Sequence, residues 1–399
     1  MTRTAIIALA STLLAAPTLA QHTNGQSAVT LSSSAPTLTS GAPADAGMSA
    51  AVLDSGVALY RDAVSRGELV GAVLFVARRG TIVLHEAIGM RDRDAGLPME
   101  KSTMFRMASN TKPVVATAAA ILVERGLLRY EDSVATYIPE FDTERSRGIT
   151  IHHLLSHTSG LRINSLFLEP MMTKSAEHPD APNLRLEAAR FGAVGPREPP
   201  GASYSYSNPG FNTLGAVIEI VSGKPLDVFL RDEIYGPLGM SDTYHMEVAD
   251  RLEGKLPRMG AVYYRRDSTT QQWIAGWKPG DAPQVPFVRA SGGLISTARD
   301  YAFFLQTFLN RGAYGSARVI SPTSVQRMIT RHTPASDPGY GYGWMVDSTG
   351  VWSHGGSDGT FAWVDPDREI IAMVLTQTPR GRNPRQLFMS FVDRAILKD

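Results

Sequence analysis

The chain has no cysteine among its 399 residues. This absence excludes disulfides, thiolate metal sites, lipid attachment to cysteine and a cysteine nucleophile. An excess of charge of one sign is also lacking, because 39 basic residues face 38 acidic ones and the formal net charge is +1. A chain of this balance has no overall basic field, so we expect no nucleic-acid partner. Its length allows a large core to form without disulfides.

No apolar run near the N-terminus is long enough to cross a membrane. The apolar stretch from Ala5 to Ala16 is shorter than the roughly 20 residues of a spanning helix. It follows Arg3 and precedes the small-residue sequence Thr18-Leu19-Ala20, an arrangement typical of an export signal. We therefore predict a signal peptide over residues 1–20, cleaved near Ala20. The mature protein is expected to be periplasmic or secreted, with no membrane span.

Large apolar side chains are almost absent from residues 21–46, which are rich in Ser, Thr, Ala, Gly and Pro. Such a segment cannot bury enough surface to fold alone, so we predict a flexible linker. Beyond it, the apolar positions from Ser49 to Ser65 indicate a helix. Two β-branched runs, Val70 to Val76 and Thr81 to Ile88, then indicate a β-hairpin.

Strand-like runs return in the C-terminal third and precede a helix candidate from Arg385 to Leu397. The strand candidates are Tyr340 to Val346, Val351 to His354, Thr360 to Val364 and Glu369 to Thr376. Strands near both chain ends with helices between them predict an α/β fold of the α+β kind. We expect one antiparallel sheet, flanked by helices and built from residues 47–130 and 290–399.

The middle of the chain, residues 131–289, is predicted to be a mainly helical insertion that carries active-site loops. Helix candidates cover His152 to Ser156, Phe211 to Val221 and Leu226 to Tyr235. Two long segments without a regular pattern, Arg162 to Pro200 and Tyr244 to Val288, have the length of binding loops or lids. Each of these segments contains apolar or aromatic residues that are candidates either for the walls of a substrate pocket or for ordinary packing. These residues are Leu166 to Met172, Tyr263, Tyr264, Trp273 and Trp277.

Lysine is scarce, with only seven among the 39 basic residues, and Ser109 is the only serine three residues ahead of one. Pro113 is tolerated in the first turn of a helix, so a helix is predicted to start near Asn110. Residues three apart share a helical face, which brings the Ser109 hydroxyl toward the Lys112 amine. Burial would let Lys112 act as a base. The alternative at this point is an ordinary N-cap serine followed by a surface lysine.

The sequence Tyr206-Ser207-Asn208 is the only Tyr-x-Asn in the chain and precedes a predicted helix. A tyrosine beside a lysine is favoured toward its phenolate form, so Tyr206 is a candidate proton relay to the leaving group. Asn208 is a candidate to hold Lys112 and the carbonyl side of a substrate. Packing or a turn is the alternative role for both residues.

A glycine-rich sequence, His354-Gly355-Gly356-Ser357-Asp358-Gly359, lies between two strand candidates. Its glycines allow a substrate to approach the backbone, and the N–H of Ser357 is a candidate oxyanion donor beside that of Ser109. The same residues fit the Gly-x-Ser-x-Gly nucleophile elbow, which requires a following helix. A β-rich run follows Ser357 instead, so Ser109 is predicted to be the nucleophile.

The order of these three motifs resembles the serine β-lactamase-like family, which includes class C β-lactamases, DD-peptidases, D-aminopeptidases and family VIII carboxylesterases. Further phrases resemble that family from about residue 48 to the C-terminus: Phe105 to Ser109, Leu154 to Gly160 and Ser291 to Ser296. The resemblance implies an α/β sandwich with a helical insertion and an active site between them.

By this resemblance Ser109 is acylated, and Lys112 and Tyr206 share the acid and base roles. Asn208 and His354 support them, while Gly356 and Ser357 line the oxyanion hole. Which of Lys112 and Tyr206 is the acylation base stays open. His152, His153 and His157 lack the glutamate of a zinc-protease helix and are predicted to be structural. We expect neither metal nor cofactor.

One departure from the family concerns its third motif. In true β-lactamases and DD-peptidases the third motif resembles Lys-Thr-Gly, whereas this chain has His354-Gly355-Gly356 at that place. A mostly uncharged histidine weakens the anchor for a substrate carboxylate. The sequence therefore predicts an exported carboxylesterase for short-to-medium acyl esters, with a small-molecule ester or amide as partner. The alternatives are D-aminopeptidase, DD-peptidase or β-lactamase activity, and a catalytically silent binding protein. The oligomeric state is not predicted.

Overall fold

The computed structural model describes residues 34–162, 174–176, 178–245, 252, 254–282, 285 and 287–397. The predicted signal peptide and the segment from Leu166 to Met172 lie outside these residues. The α-helices are α1 (Ala50–Ser65), α2 (Thr111–Glu124), α3 (Ile151–Leu155), α4 (Leu184–Val194), α5 (Asn208–Ser222), α6 (Leu226–Leu230), α7 (Gly236–Leu238), α8 (Ala298–Leu309), α9 (Pro322–Met328) and α10 (Arg385–Ala395). Among the described residues, no helix is long and apolar enough to span a membrane.

The strands are short outside one large sheet. They are β1 (Thr39–Ser40), β2 (Gly71–Arg78), β3 (Thr81–Asp92), β4 (Leu97–Pro98), β5 (Phe105–Arg106), β6 (Tyr244–His245), β7 (Val262–Arg266), β8 (Trp273–Trp277), β9 (Leu294–Ser296), β10 (Ala313–Tyr314), β11 (Ala317–Arg318), β12 (Met345–Val346), β13 (Trp352–Gly355), β14 (Thr360–Asp365) and β15 (Ile370–Thr376). The predicted N-terminal helix and hairpin and three of the C-terminal strands are thereby confirmed, whereas the candidate from Tyr340 to Val346 forms a strand only at Met345–Val346.

The large sheet joins the two ends of the chain. Its order is β1-β3-β2-β15-β14-β13-β12, with β4 paired to β3. The ends meet where β2 pairs antiparallel with β15, from Ile370 opposite Arg78 to Thr376 opposite Ala72. The prediction of one sheet from both termini is confirmed. The pairing of β1 with β3 is parallel, so the sheet is mixed.

The parallel edge strand β1 comes from the predicted linker. Thr39 pairs with Thr81, and Leu38 is buried in the core. The prediction of a flexible linker is therefore wrong from residue 34 onward, because backbone hydrogen bonds to β3 and the burial of Leu38 order this part of the chain. Residues 21–33 lie outside the described part.

Strand β2 separates two hydrophobic layers, because all eight of its residues are buried. Side chains alternate between the faces of a strand. Val73 and Phe75 pack in the core shared with α2, α5 and α8, whereas Leu74 and Val76 pack in the core formed with α1 and α10. Helix α2 thus packs against the sheet through this core, and Ser109 lies just before the N-terminus of the helix.

The two segments predicted to be irregular contain regular elements. Helix α4 lies within residues 162–200; Asn183 caps its N-terminus, and Leu184, Ala188 and Phe191 form its buried face. Strands β7 and β8 form a hairpin within residues 244–288, and shifts in its register interrupt the alternation that a strand pattern needs. The division into a sandwich of residues 47–130 and 290–399 and an insertion of residues 131–289 stays a prediction.

Candidate active site

Ser109 lies in a single 3-10 turn, Ala108–Asn110, which leads directly into α2. Ala108 adopts a positive φ of 46°, which redirects the chain before the helix. Asn110, and not Ser109, is the N-cap residue of α2, and its side chain makes no capping hydrogen bond. The Ser109 side chain is therefore available at the surface of a cleft that it lines.

Lys112 is fully buried and touches three oxygen atoms. Its Nζ lies 3.1 Å from Ser109 Oγ, 2.9 Å from Asn208 Oδ1 and 2.8 Å from the carbonyl oxygen of Ser291. Burial lowers the pKa of Lys112 well below 10.5, and the nearby Arg289 charge lowers it further. The neutral amine is thereby favoured.

A neutral amine has two N–H donors and one lone pair. The oxygens of Asn208 and Ser291 can only accept, so they take the two N–H groups. The lone pair is then left for the third neighbour, the hydroxyl of Ser109. This arrangement can withdraw a proton from Ser109.

Tyr206 lies on the other side of the serine. Its side chain is hydrogen-bonded to Ser109, and its ring centroid is 4.6 Å from Lys112 Nζ. Although 42% of the residue surface is exposed, burial of the phenol raises its pKa, and the bond to Ser109 only partly opposes this. Burial thus favours the neutral phenol over the phenolate expected beside a charged lysine, since the pKa of the adjacent Lys112 is itself lowered. A neutral phenol is able to donate a proton.

A buried hydrogen-bond chain holds the acceptor of Lys112 in place. The N–H of Ser291 donates to Asn212 Oδ1 at 2.9 Å, and Asn212 Nδ2 donates to Glu187 Oε2 at 2.7 Å. All three residues are buried. Sequence reasoning assigned them no role, because they come from three distant segments and neither Asn212 nor Glu187 belongs to a recognisable motif. Their contacts fix the Ser291 carbonyl and hence the Lys112 amine.

Ser357 lies in the turn between β13 and β14 and lines the same cleft as Ser109. Strand β14 follows this turn, so the helix of a nucleophile elbow is not present. Gly356 does not offer its N–H to the cleft, because it donates to the Thr360 carbonyl at 2.7 Å. A Cβ there would lie 2.4 Å from the Met107 carbonyl oxygen. Gly356 therefore lets the turn pack against the Ser109 segment and is not a donor.

The turn is pinned by Asp358. Its carboxylate accepts from the Ser357 hydroxyl, lies 2.8 Å from Arg106 Nε and accepts from Tyr264 Oη at 3.0 Å. Burial raises the pKa of Asp358, and Arg106 opposes that shift most strongly. The hydroxyl of Ser357 is thus engaged by Asp358, and Ser357 lines the same cleft as Ser109.

His354 is buried and does not line the cleft. Its Nδ1–H donates to the Gly355 carbonyl at 2.9 Å, so its Nε2 accepts from Tyr340 Oη at 3.1 Å. Burial, followed by the neighbouring Lys112, lowers its pKa to about 3. The expected neutral histidine is present, but the expected substrate contact is not, because both ring nitrogens face the protein. His354 supports the aromatic wall behind Tyr206.

The histidines considered for metal binding have other partners. His157 Nδ1 accepts from the Ser207 N–H at 3.0 Å, and its ring packs on Tyr206 with centroids 4.4 Å apart. His152 Nδ1 lies 2.8 Å from Tyr342 Oη, and His153 Nδ1 accepts from the Thr150 N–H at 3.1 Å. These contacts give the three residues structural roles.

The cleft has a volume of about 640 Å³ and a lining of both polar and apolar groups. Charged side chains line it at Arg106, Asp281, Arg289 and Asp358. Of the four aromatics considered as pocket walls, Tyr264 and Trp277 line the cleft. Tyr263 and Trp273 pack elsewhere: Tyr263 Oη accepts from the Arg93 N–H at 2.8 Å and Trp273 Nε1 donates to the Gly67 carbonyl at 2.9 Å.

The fold and the serine, lysine and tyrosine cluster define a β-lactamase-like serine hydrolase. Residues 50–388 match the Beta-lactamase family, and the chain belongs to that family.

Three relatives illustrate its range. The chain is 40% identical over 284 residues to Esterase EstB of Burkholderia gladioli, a match covering 68% of each chain. It is 30% identical over 366 residues to an uncharacterized protein of Mycobacterium tuberculosis, covering 82% of this chain and 90% of that one. It is 27% identical over 346 residues to a putative D-alanyl-D-alanine carboxypeptidase of Escherichia coli, covering 77% and 78%.

Among solved structures, the chain resembles EstCE1, a hydrolase with promiscuous acyltransferase activity. The TM-score is 0.68 at 22% identity, and the match covers 87% of this chain and 99% of that one. At this identity the likeness concerns the fold alone.

Proposed function

We propose that the protein is a carboxylesterase that cleaves short-to-medium acyl esters through an acyl-enzyme on Ser109. The observation that carries the proposal is the environment of Lys112, whose lone pair is left to Ser109 by two carbonyl acceptors. The 40% identity to an esterase of Burkholderia gladioli supports the ester as substrate class.

The proposed reaction begins when Lys112 takes the Ser109 proton and the serine oxygen bonds to the ester carbonyl carbon. The backbone N–H groups of Ser109 and Ser357 stabilise the resulting oxyanion. Tyr206 donates its proton to the departing alkoxide and regains one from Lys112. Water then attacks the acyl-enzyme and loses a proton to the same pair of side chains, and the bond to Ser109 Oγ breaks as that oxygen takes a proton back from them, which releases the acid. Because the pKa of Lys112 is lowered and the pKa of Tyr206 is raised, Lys112 is favoured over Tyr206 as the base.

A second candidate function acts on amide or lactam substrates that carry a carboxylate, as a D-aminopeptidase, DD-peptidase or β-lactamase. The observation in its favour is Arg289, a cation that lines the cleft and influences Lys112 electrostatically. It can attract a substrate carboxylate although His354 is neutral. The relationship to a putative carboxypeptidase supports the same candidate.

A substrate panel separates these functions. Purified protein is incubated with nitrophenyl acetate, butyrate and octanoate, with D- and L-alanine amides, and with nitrocefin. We expect ester turnover to dominate, and Ser109→Ala to abolish it while Ser357→Ala does not. Faster turnover of amides or nitrocefin moves the second candidate ahead. Absence of all turnover and of fluorophosphonate labelling, with a ligand that still stabilises the fold, indicates a silent binding protein.

We also propose export, with cleavage near Ala20 and a periplasmic or secreted mature protein. The support is the sequence of residues 1–20. Intact mass and N-terminal sequencing of the protein from fractionated cells test it, with a variant lacking residues 2–20 as control. Full-length protein confined to the cytosol would contradict the proposal.

A further inference from the structure

Five arginines surround a concave surface away from the catalytic cleft. The depression has a volume of about 600 Å³ and is lined by Arg66, Glu68, Arg265, Arg266, Trp273, Arg380 and Arg382. We call this surface the arginine basin. It holds five cations against one carboxylate in a chain whose overall formal charge is only +1.

Three separate segments build the arginine basin, and hydrogen bonds fasten them together. Arg66 and Glu68 follow the end of α1, and the hairpin β7–β8 is joined to this corner through the Gly67 carbonyl. That carbonyl accepts from Trp273 Nε1 at 2.9 Å and also from Arg266. The basin is therefore a fixed feature of the fold on two of its sides.

The third side is the loop between β15 and α10, which carries Arg380 and Arg382. Gly381 between them packs closely against the segment that follows α1, since a Cβ there would lie 2.5 Å from the Glu68 carbonyl oxygen. Asn383 accepts from Tyr60 Oη at 2.6 Å, which ties the end of the loop to α1. The two arginines are thus held beside the other three before any ligand arrives.

The one acid in the basin, Glu68, offsets only part of this charge. Glu68 is taken by Arg66, whose Nε and Nη2 each donate at 3.1 Å to its two oxygens. That pairing is the main cause of the lowered pKa of Glu68. Within the described residues, no hydrogen bond or ion pair engages the guanidinium groups of Arg265, Arg380 and Arg382. These three arginines are also exposed, so their guanidinium groups are accessible to a ligand.

The floor of the basin adds shape to the charge. Trp273 is almost fully buried, and the guanidinium of Arg266 stacks over its ring at 4.7 Å from the centroid. Such stacking holds the guanidinium plane in a defined orientation, and one of its N–H groups donates to the Gly67 carbonyl. Asp267, the nearest further acid on the hairpin, is occupied by the backbone N–H groups of Thr269 and Thr270.

We propose that the arginine basin binds a multivalent phosphate-bearing anion. Guanidinium groups bind phosphate oxygens in pairs of parallel hydrogen bonds. A phosphate group carries up to two negative charges and three acceptor oxygens, so one or two such groups match three unpaired arginines better than a single carboxylate does. The ligand is either a soluble compound with clustered phosphates or the headgroup of an anionic lipid.

Pyrophosphate is the probe for the shared chemistry. Its binding to the full mature chain is measured by calorimetry and by the rise in melting temperature, against sodium chloride of equal ionic strength. We expect binding to wild type, and binding at least about tenfold weaker after R380Q combined with R382Q, because charge-assisted hydrogen bonds are lost. R265Q provides a second, independent test on the opposite wall.

The control is R190Q, which removes an exposed arginine from α4. It lowers the net charge without touching the basin and is expected to bind pyrophosphate like wild type. Ester hydrolysis is expected to be unchanged in R380Q combined with R382Q, which also shows that this variant is folded.

Vesicles distinguish the two sources of phosphate. Cosedimentation with phosphatidylglycerol in phosphatidylcholine, reversed by pyrophosphate and absent with phosphatidylcholine alone, assigns a lipid headgroup. Pyrophosphate binding without cosedimentation assigns a soluble phosphate compound. The proposal is overturned if neither probe binds, if the basin variants bind like wild type, or if R190Q weakens binding as much as they do.

Discussion

The catalytic cleft and the arginine basin lie on different parts of the protein, and each uses cations in the opposite way. Lys112 is fully buried and its pKa is driven down, so it serves as a neutral amine. The basin arginines are exposed and keep their charge, since a guanidinium is protonated at any ordinary pH. Burial converts one cation into a base, whereas exposure and crowding turn the others into an anion site.

The hairpin β7–β8 contributes to both regions. Tyr264 and Trp277 line the cleft, while Arg265, Arg266 and Trp273 line the basin. Tyr264 also donates to Asp358 in the turn that carries Ser357. Variants that disturb one region and leave the other intact therefore test how separate they are.

The largest expected effect comes from Ser109→Ala. We expect a loss of kcat of at least about 10³-fold on nitrophenyl butyrate, because no nucleophile remains to form the acyl-enzyme. Ser357→Ala is the matched control and should keep activity within a few-fold, since its backbone N–H is retained. Loss of turnover only in Ser357→Ala would show that the nucleophile has been assigned to the wrong serine.

Lys112→Arg tests whether the residue at position 112 must act as a base or need only carry a positive charge. The charge is kept but cannot be lost near neutral pH, so we expect kcat to fall by about 10²- to 10⁴-fold. In wild type, activity should decline as pH falls through the lowered pKa of Lys112, because protonation removes the lone pair that receives the serine proton. A Lys112→Arg enzyme as active as wild type would mean that only a positive charge is required.

Asn212→Ala tests the buried support of the base. Removing its amide leaves the Ser291 N–H and Glu187 without their partner and loosens the carbonyl that holds Lys112. We expect kcat to fall about tenfold or more with little change in KM, and the pH profile to shift. Asn310→Ala, at the end of α8, is the control. A change in stability alone, with kcat and its pH profile intact, would limit Asn212 to a structural role.

The smallest expected effect concerns His354 and acid stability. Its folded pKa is about 3, below the ordinary 6.5, so the unfolded chain binds more protons between these values. The contribution of His354 to stability is full above about pH 6.5 and is lost as pH falls toward 3, at up to about 1.4 kcal/mol per pH unit. His354→Gln should flatten the curve of unfolding free energy against pH over this window. Parallel curves for both proteins would contradict the burial account.

Much of the site followed from local patterns in the sequence. Ser109 and Lys112 are three residues apart, so one helical turn is enough to bring them together. Tyr206 and Asn208 were found because their motif precedes a helix. The sheet was predicted because strand candidates lie near both chain ends with helices between them, and the apolar runs that became β2 and β15 are buried at its centre.

What was missed depends on contacts between distant segments. Glu187, Asn212 and Ser291 form a chain only after α4, α5 and the segment before β9 have packed together. The orientation of His354 depends on Tyr340, and the strand β1 depends on the free edge of β3. The arginine basin likewise gathers residues from three segments that show no common pattern in the sequence.

The proposed mechanism requires that Lys112 is a neutral amine at the pH where the enzyme acts. Its protonation can be measured by NMR titration of the lysine side-chain amines, since the chain has only seven lysines and Lys112→Arg assigns the signal. We expect that one lysine titrates well below 10.5 and that its signal is missing in Lys112→Arg. Titration of the Lys112 amine at the ordinary lysine pKa would contradict it.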